Sequence, residues 1–369
     1  MRTLVLTPDY PPARGGIQVV VHGLVTNAPG LRCKVVALGD RKAGEFDRAG
    51  SIDVRRAPLT GRRGALAVGC LNAVALAEAL RFRPAAVLSA HVVTAPAALA
   101  IGRIAGIPVI QYFHAREIAA RPRLAAFAAA RADASIAVSA YTRELVAAVG
   151  GRAGRIHVIP PGVELPAAAT HGEPAGPPTV VTIGRIEHRY KGHDVMVGAM
   201  ATVRRRLPEA RWVVIGDGAL RPRVVALARA AGLDRRAAVF LGSVGDGERD
   251  EWLRRSHVFA MPSRVTADGL GGEGFGIVYM EASAHGVPVV AGAVGGALDA
   301  VEDGATGLLV DPDDEGAVAG ALLELLQDPG RRAAFGAAGV RRAEEFSWPR
   351  VAARVEALIG TLVERGPAR

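Results

Sequence analysis

The feature that most constrains this chain is a repeated alternation. Short β-branched runs recur along all 369 residues, each followed by an Ala-rich stretch of helical length. That alternation is the pattern of a parallel sheet covered by helices on both faces. In the first half the predicted strands are 3–7, 34–38, 52–56, 86–89, 108–113, 135–138 and 156–159. Between Pro160 and Pro178 the chain is rich in Pro, Gly and Ala without any period, which predicts a linker. A second series follows at 180–183, 212–215, 238–241, 258–261, 287–291 and 307–310, and the stretch from Pro349 to Glu364 predicts an amphipathic helix. The length also favours two cores over one, since single cores stop growing near ~250 residues. Two doubly wound α/β domains are expected, with ligands at the carboxyl ends of their strands and a cleft between them.

Composition narrows the function classes. The segment from Met1 to Thr7 is too short for a signal-peptide core, and Cys33 and Cys70 suit a reducing compartment, so a cytoplasmic protein is expected. The longest stretch lacking acidic and basic residues, 84–102, contains Ser89, His91 and Pro96 and divides into strand-like and helix-like halves, which excludes it as a membrane span. Charge is uneven. The first 165 residues hold 21 Lys and Arg against 10 Asp and Glu, whereas the rest hold 24 against 26. A basic first half suits an anionic partner such as a phospholipid surface or a nucleic acid, and an arginine-rich genome explains it equally well. Arg55, Arg56, Arg62 and Arg63 precede the apolar run Ala65 to Leu80, which reads either as a core helix or as a seat on an anionic membrane.

Lys191 is one of only three lysines beside 42 arginines, and the only lysine of the second half. It lies in Gly184-Arg-Ile-Glu-His-Arg-Tyr-Lys191-Gly192, after that half's first strand. Arg185 and Lys191 can there set a planar fork and a compact charge around a diphosphate. Gly269 to Gly276 forms a glycine-rich loop ahead of the helical run Ile277 to His285, an anion cradle by backbone amides and helix dipole. Gly216-Asp-Gly218 carries Arg221 where a dinucleotide fingerprint needs its third glycine. Glu273 and Glu281 would repel a diphosphate unless they face hydroxyl groups, which makes sugars their natural partners. Gly15-Gly16 opens another helix with bare amides, and His114 ends an apolar strand at its carboxyl end. Asp311-Pro-Asp313-Asp314 reads as a turn and N-cap, so no metal site is expected.

Together the Arg185 and Lys191 pair, the Glu273 and Glu281 pair and the Gly15-Gly16 loop resemble the GT-B family of retaining glycosyltransferases (family 4 type). Phe259-Ala-Met-Pro-Ser263 through Glu273-Gly-Phe-Gly-Ile-Val-Tyr-Met-Glu281 to Gly286-Val-Pro-Val289 and Gly295-Gly296 is especially similar to actinobacterial phosphatidylinositol mannosyltransferases, as is Tyr10-Pro-Pro-Ala-Arg-Gly-Gly-Ile-Gln18. The resemblance implies an α/β GT-B fold of two Rossmann-like domains facing a central cleft. Residues 1–165 would bind acceptor, 166–348 would bind the nucleotide sugar, and 349–369 would be a helix packing back toward the first domain.

It further implies that Arg185 and Lys191 hold the donor diphosphate with the Gly16 amide, and that Glu281 takes the ribose. Glu273 would hold the donor sugar with the amides of Gly274, Phe275 and Gly276. His114 would lie beside the breaking bond, and Asp9 with Tyr10 would face the acceptor. The implied activity moves mannose from GDP-mannose to a phosphatidylinositol mannoside or another glycolipid, at the inner face of the cell membrane. The nucleotide sugar is a co-substrate, no tightly bound cofactor is implied, any Mg2+ would not be ligated by the protein, and no nucleic acid is involved. On the residues alone a UDP-sugar donor with a small-molecule or oligosaccharide acceptor, a sugar-nucleotide epimerase, and a nonenzymatic anionic-lipid-binding protein on the same scaffold stay open.

Overall fold

The computed structural model describes residues 1–58, 64–166, 174–266, 269 and 271–366. All thirteen predicted strands form: β1 Arg2–Leu6, β2 Arg32–Leu38, β3 Asp53–Ala57, β4 Ala86–Ser89, β5 Val109–Phe113, β6 Ala134–Ala137, β7 Ile156–Val158, β8 Thr179–Ile183, β9 Arg211–Ile215, β10 Ala238–Gly242, β11 Val258–Met261, β12 Val289–Gly292 and β13 Gly307–Val310. Boundaries move by a residue or two. The start of β12 moves from 287 to 289, because Pro288 lacks an N–H for the ladder and contributes only its carbonyl, to the Phe259 amide at 3.0 Å. The central strands β4, β5, β8, β11 and β12 are buried at every residue, as a sheet covered on both faces requires.

The chain divides into two compact units, Met1–Gly162 with Trp348–Arg369, and Val163–Ser347. The first boundary falls a few residues before the predicted one, and residues 167–173 of the predicted linker lie outside the described residues. The first unit holds a seven-stranded parallel sheet ordered β3-β2-β1-β4-β5-β6-β7, and the second a six-stranded one ordered β10-β9-β8-β11-β12-β13. In each, chain order reverses beside the first strand. The loops after β1 and β4, and those after β8 and β11, therefore flank the crevice where such sheets bind ligands.

In the second unit a hydrogen-bonded line crosses the core. Trp212 Nε1 donates to Thr182 Oγ1 at 2.9 Å, and Thr182 donates to the Ala260 carbonyl at 2.6 Å, tying β9, β8 and β11 together. The helix Trp348–Arg365 belongs to the first unit; it buries Trp348, Val351, Ala352, Val355 and Ile359, and the Trp348 ring lies against Gly23.

The apolar run 65–80 becomes the helix Ala65–Phe82. It seats Ala67, Leu71 and Ala75 in the first unit's core, and is long and apolar enough by composition to cross a bilayer. Its buried Glu78 pairs with Lys34 at 3.1 Å, Arg81 at 3.2 Å and Arg55 at 3.7 Å, as a core helix on a sheet does. The basic run ahead of it is not one surface. Arg56 turns inward to a two-pronged contact with Asp47 at 2.7 and 3.0 Å, and Arg62 and Arg63 lie outside the described residues.

Candidate functional site

In the second unit the loop leaving β8 is held by the loop leaving β9: Ile186 N–H donates to the Asp217 carbonyl at 2.9 Å. Gly216 permits this, since a Cβ there would sit 2.0 Å from the Gly184 carbonyl oxygen. The glycines that fail the dinucleotide fingerprint thus serve a close loop-to-loop approach. On the same loop Arg185 is largely exposed, 3.4 Å from Glu187. Lys191 ends the short turn Arg189–Lys191 and forms an ion pair with Glu273, which stands 82 residues further on. Burial disfavours the Lys191 ammonium, but Glu273 and Tyr190 outweigh it, and the pKa stays above the ordinary lysine value although Arg185 is near enough to oppose it.

Glu273 precedes the helix Ile277–Ala284, with Gly276 at φ 87° as its cap. Gly296 N–H donates to the Glu273 carbonyl at 2.9 Å, Phe275 is buried against Phe346, and the Tyr279 hydroxyl donates to the Met261 carbonyl at 2.9 Å. The Glu273 to Gly276 segment is thereby fixed at the carboxyl ends of β11 and β12. Glu281, one turn into the helix, lies 3.6 Å from Arg249 of the helix Asp246–Arg254. Burial pushes the Glu281 carboxyl upward, opposed by Arg249. Arg249 also contacts Asp250 at 3.1 Å and Asp246 at 3.4 Å.

In the first unit the loop after β1 closes on itself. Asp9 N–H donates to Thr7 Oγ1 at 3.1 Å, and Gln18 Nε2 donates to Asp9 Oδ1 at 3.3 Å. Gly16 opens the helix Gly16–Thr26, where an added Cβ would meet nothing within 4 Å. Tyr10 is 2% exposed, its hydroxyl is bonded to His22 Nδ1 at 3.1 Å, and its ring packs on Phe46 and under Arg56. A phenol so enclosed holds the loop in place. His114 follows β5. Its Nε2 donates to the Ala90 carbonyl at 3.0 Å. Its backbone N–H donates to Glu117 Oε1 at 2.5 Å across Ala115, whose φ of 80° marks a strained turn.

The second unit thus brings Lys191 and Glu273 into contact with Arg185 alongside, and sets Glu281 one turn into the helix that follows Glu273. Asp9, Gly16 and His114 belong to the first unit. Arg249 escaped the sequence reading because nothing marks one arginine among 42. Asp311 and Asp314 behave as turn and cap: Asp311 Oδ1 takes the Asp313 N–H at 3.0 Å, and Asp314 caps the helix Glu315–Gln327. Among the described residues no group of three His, Cys, Asp or Glu is placed to hold a metal ion.

The model for glycosyl transferases group 1 matches residues 177–328, and that for glycosyltransferase family 4 matches residues 14–166. A GDP-mannose-dependent α-(1-6)-phosphatidylinositol monomannoside mannosyltransferase of Mycobacterium tuberculosis is 35% identical, over 96% of this chain and 97% of its own. A Corynebacterium glutamicum enzyme, the GDP-mannose-dependent monoacylated α-(1-6)-phosphatidylinositol monomannoside mannosyltransferase, is 32% identical over 94% of both chains. Among solved structures, the sucrose-phosphate synthase of Thermosynechococcus elongatus superposes with a TM-score of 0.82 at 21% identity, covering 99% of each chain, which establishes the fold as GT-B.

Proposed function

Because the chain belongs to the group 1, family 4 glycosyltransferases, we propose that it transfers mannose from GDP-mannose to a hydroxyl of a phosphatidylinositol mannoside or a closely similar glycolipid, with retention at the anomeric carbon. The observation that carries this reading is the Lys191–Glu273 ion pair with Arg185 beside it. Two cations at the head of one loop suit a leaving diphosphate, and a carboxylate at the edge of the glycine segment suits sugar hydroxyls. Glu281 is assigned to the ribose, and the amides of Gly274, Phe275 and Gly276 to the sugar end. Gly16 is assigned to the donor phosphate, His114 to the sugar, and Asp9 to the acceptor. The donor and acceptor classes follow the M. tuberculosis relative, which shares nearly the full length.

The chemistry needs no protein nucleophile, which agrees with Glu273 being engaged by Lys191. The bond from C1 to the phosphate oxygen breaks, the acceptor oxygen bonds to C1 on the same face, and its proton passes to the departing phosphate oxygen. Fixed positive charge at the leaving group supplies the rate enhancement. The test is calorimetry and turnover with GDP-mannose, UDP-glucose and ADP-glucose, with the anomeric configuration of the product read by NMR. Preference for GDP-mannose and an α-linked product are expected. Turnover of another donor alone would overturn the donor assignment, and a β-linked product would overturn retention.

A lipid acceptor requires the enzyme at a membrane surface, and we assign that contact to the helix Ala65–Phe82, which leaves Leu66 83% and Leu80 75% exposed. Flotation with anionic vesicles is expected for the native chain and reduced for Leu66→Glu with Leu80→Glu. Equal recovery of both would reject the assignment.

A further inference from the structure

We propose that Arg264 and Asp194 form a clamp that sets the position of Lys191, which makes both of them positioning residues for donor binding. The inference rests on the reading that Lys191 holds the donor diphosphate. Its basis is the way two loops, one after β8 and one after β11, are joined.

The segment Pro262 to Thr266 touches the Lys191 turn at three levels. Arg264 N–H donates to the Tyr190 carbonyl at 2.7 Å, a backbone bond one residue before Lys191. One residue after it, Gly192 lies at φ 74° and so close to the other segment that a Cβ would sit 2.1 Å from the Pro262 carbonyl oxygen. Beyond that, the Arg264 guanidinium forks onto the Asp194 carboxylate, Nη2 to Oδ1 at 3.1 Å and Nη1 to Oδ2 at 3.3 Å. Asp194 also accepts from Arg189 Nη2 at 3.1 Å, so one carboxylate gathers residues from both sides of Lys191. The Arg264 Nε lies 2.8 Å from Asp313 Oδ1, an ion-pair contact at the remaining edge of the fork that lacks hydrogen-bond alignment.

The pair is well suited to hold geometry. The Arg264 and Asp194 side chains are only 18% and 23% exposed, so water competes weakly for them, and a two-pronged contact fixes angle as well as distance. No contact runs from Arg264 or Asp194 to the Lys191 ammonium or to the Glu273 carboxylate in the described structure; the influence passes through backbone. Lys191 lies three residues before Asp194, and its turn is held against the Arg264 segment both before and after it, so the clamp bears on the Lys191 side of the Lys191–Glu273 contact. The contribution of a compact ammonium to holding a phosphate depends on where that charge sits, and misplacement of about 1 Å in such a site is worth up to roughly a hundredfold in rate.

The test uses the full-length protein and four variants, Arg264→Ala, Arg264→Lys, Asp194→Asn and Lys191→Met. GDP affinity is measured by calorimetry, donor kinetics at saturating acceptor, and folding by thermal melt. Arg264→Ala and Asp194→Asn are expected to weaken GDP and to lower kcat/KM for the donor roughly ten- to a hundredfold, with kcat falling as well because the displaced cation is the one that stabilises the leaving group. Combining them should add little, because each removes the same contact. Arg264→Lys, which keeps the charge and loses the fork, should fall between wild type and Arg264→Ala. Folded Arg264→Ala and Asp194→Asn proteins with wild-type GDP affinity would overturn the clamp if Lys191→Met loses affinity, and the donor reading would stand. Wild-type affinity in Lys191→Met would overturn the donor reading, and the clamp with it. If Arg264→Ala fails to fold, Arg264→Lys and Asp194→Asn decide.

Discussion

Replacing Lys191 by Met keeps the length of the side chain and removes its charge. Two separable consequences follow from the contacts around it. Glu273 loses its ion-pair partner while its side chain stays only 18% exposed. Breaking a fully buried pair costs about 3–5 kcal/mol and an exposed one under ~1 kcal/mol; with Lys191 at 14% and Glu273 at 18%, about 2 kcal/mol is the expected loss. For a unit of this size that lowers the melting temperature by about 4–8 °C. The second consequence concerns the donor. A hydrogen bond to a charged group contributes about 1.5–3 kcal/mol, so GDP affinity should fall by roughly ten- to a hundredfold.

Adding Glu273→Gln separates the two. The uncompensated carboxylate disappears, so most of the lost stability should return, while GDP affinity should not, because the phosphate still lacks its cation. Thermal melts and calorimetry on the two single variants and the double variant complete the cycle. Recovery of affinity along with stability would refute the reasoning, since Lys191 would then matter only as the partner of Glu273.

Gly192→Ala should be as damaging as a core substitution, because φ 74° is unfavourable for alanine and the new Cβ meets the Pro262 carbonyl at 2.1 Å; a loss of at least about 2 kcal/mol is expected by denaturant titration, with weakened GDP binding in whatever fraction folds. His193, buried at 3% exposure, has its pKa pushed down to about 4 by desolvation first and by Lys191 second. Between pH 6.5 and 4 the unfolded chain therefore binds a proton that the folded one refuses, and stability falls with falling pH by ~1.4 kcal/mol per unit from this residue, about 2 kcal/mol at pH 5. His193→Gln should flatten the difference between unfolding curves at pH 7.5 and pH 5 by about that amount; an unchanged difference would show that His193 is not held neutral.

The central strands were legible because a parallel sheet covered on both faces demands short apolar runs there, whereas the edge strands β3 and β7 followed from their place in the alternation. The helix Ala65–Phe82 was harder for the same reason. An apolar stretch records that something will cover it, and only the fold shows that Ala67, Leu71 and Ala75 are covered by core while Leu66 and Leu80 are not. The enclosure of Tyr10 was not legible, because the residues that surround it, His22, Phe46 and Arg56, are marked by nothing in the sequence around it.

Lys191 stood out for a compositional reason. In a chain that otherwise writes almost every cation as arginine, a lysine in the loop after the second half's first strand points to a compact charge rather than a planar fork. The same bias hides Arg249 and Arg264, whose importance lies wholly in their partners. Asp194 was the available clue. It follows Lys191 by three residues, placing a carboxylate within the first turn of the helix His193–Arg206. A carboxylate there is ordinary as a dipole partner, and becomes informative only once two arginines are seen to converge on it. Residue identity therefore revealed the groups assigned to the donor, whereas the groups that hold them in place are visible only through geometry. Substitutions of Arg264 or Asp194 that leave Lys191 intact test whether that geometry matters to the donor.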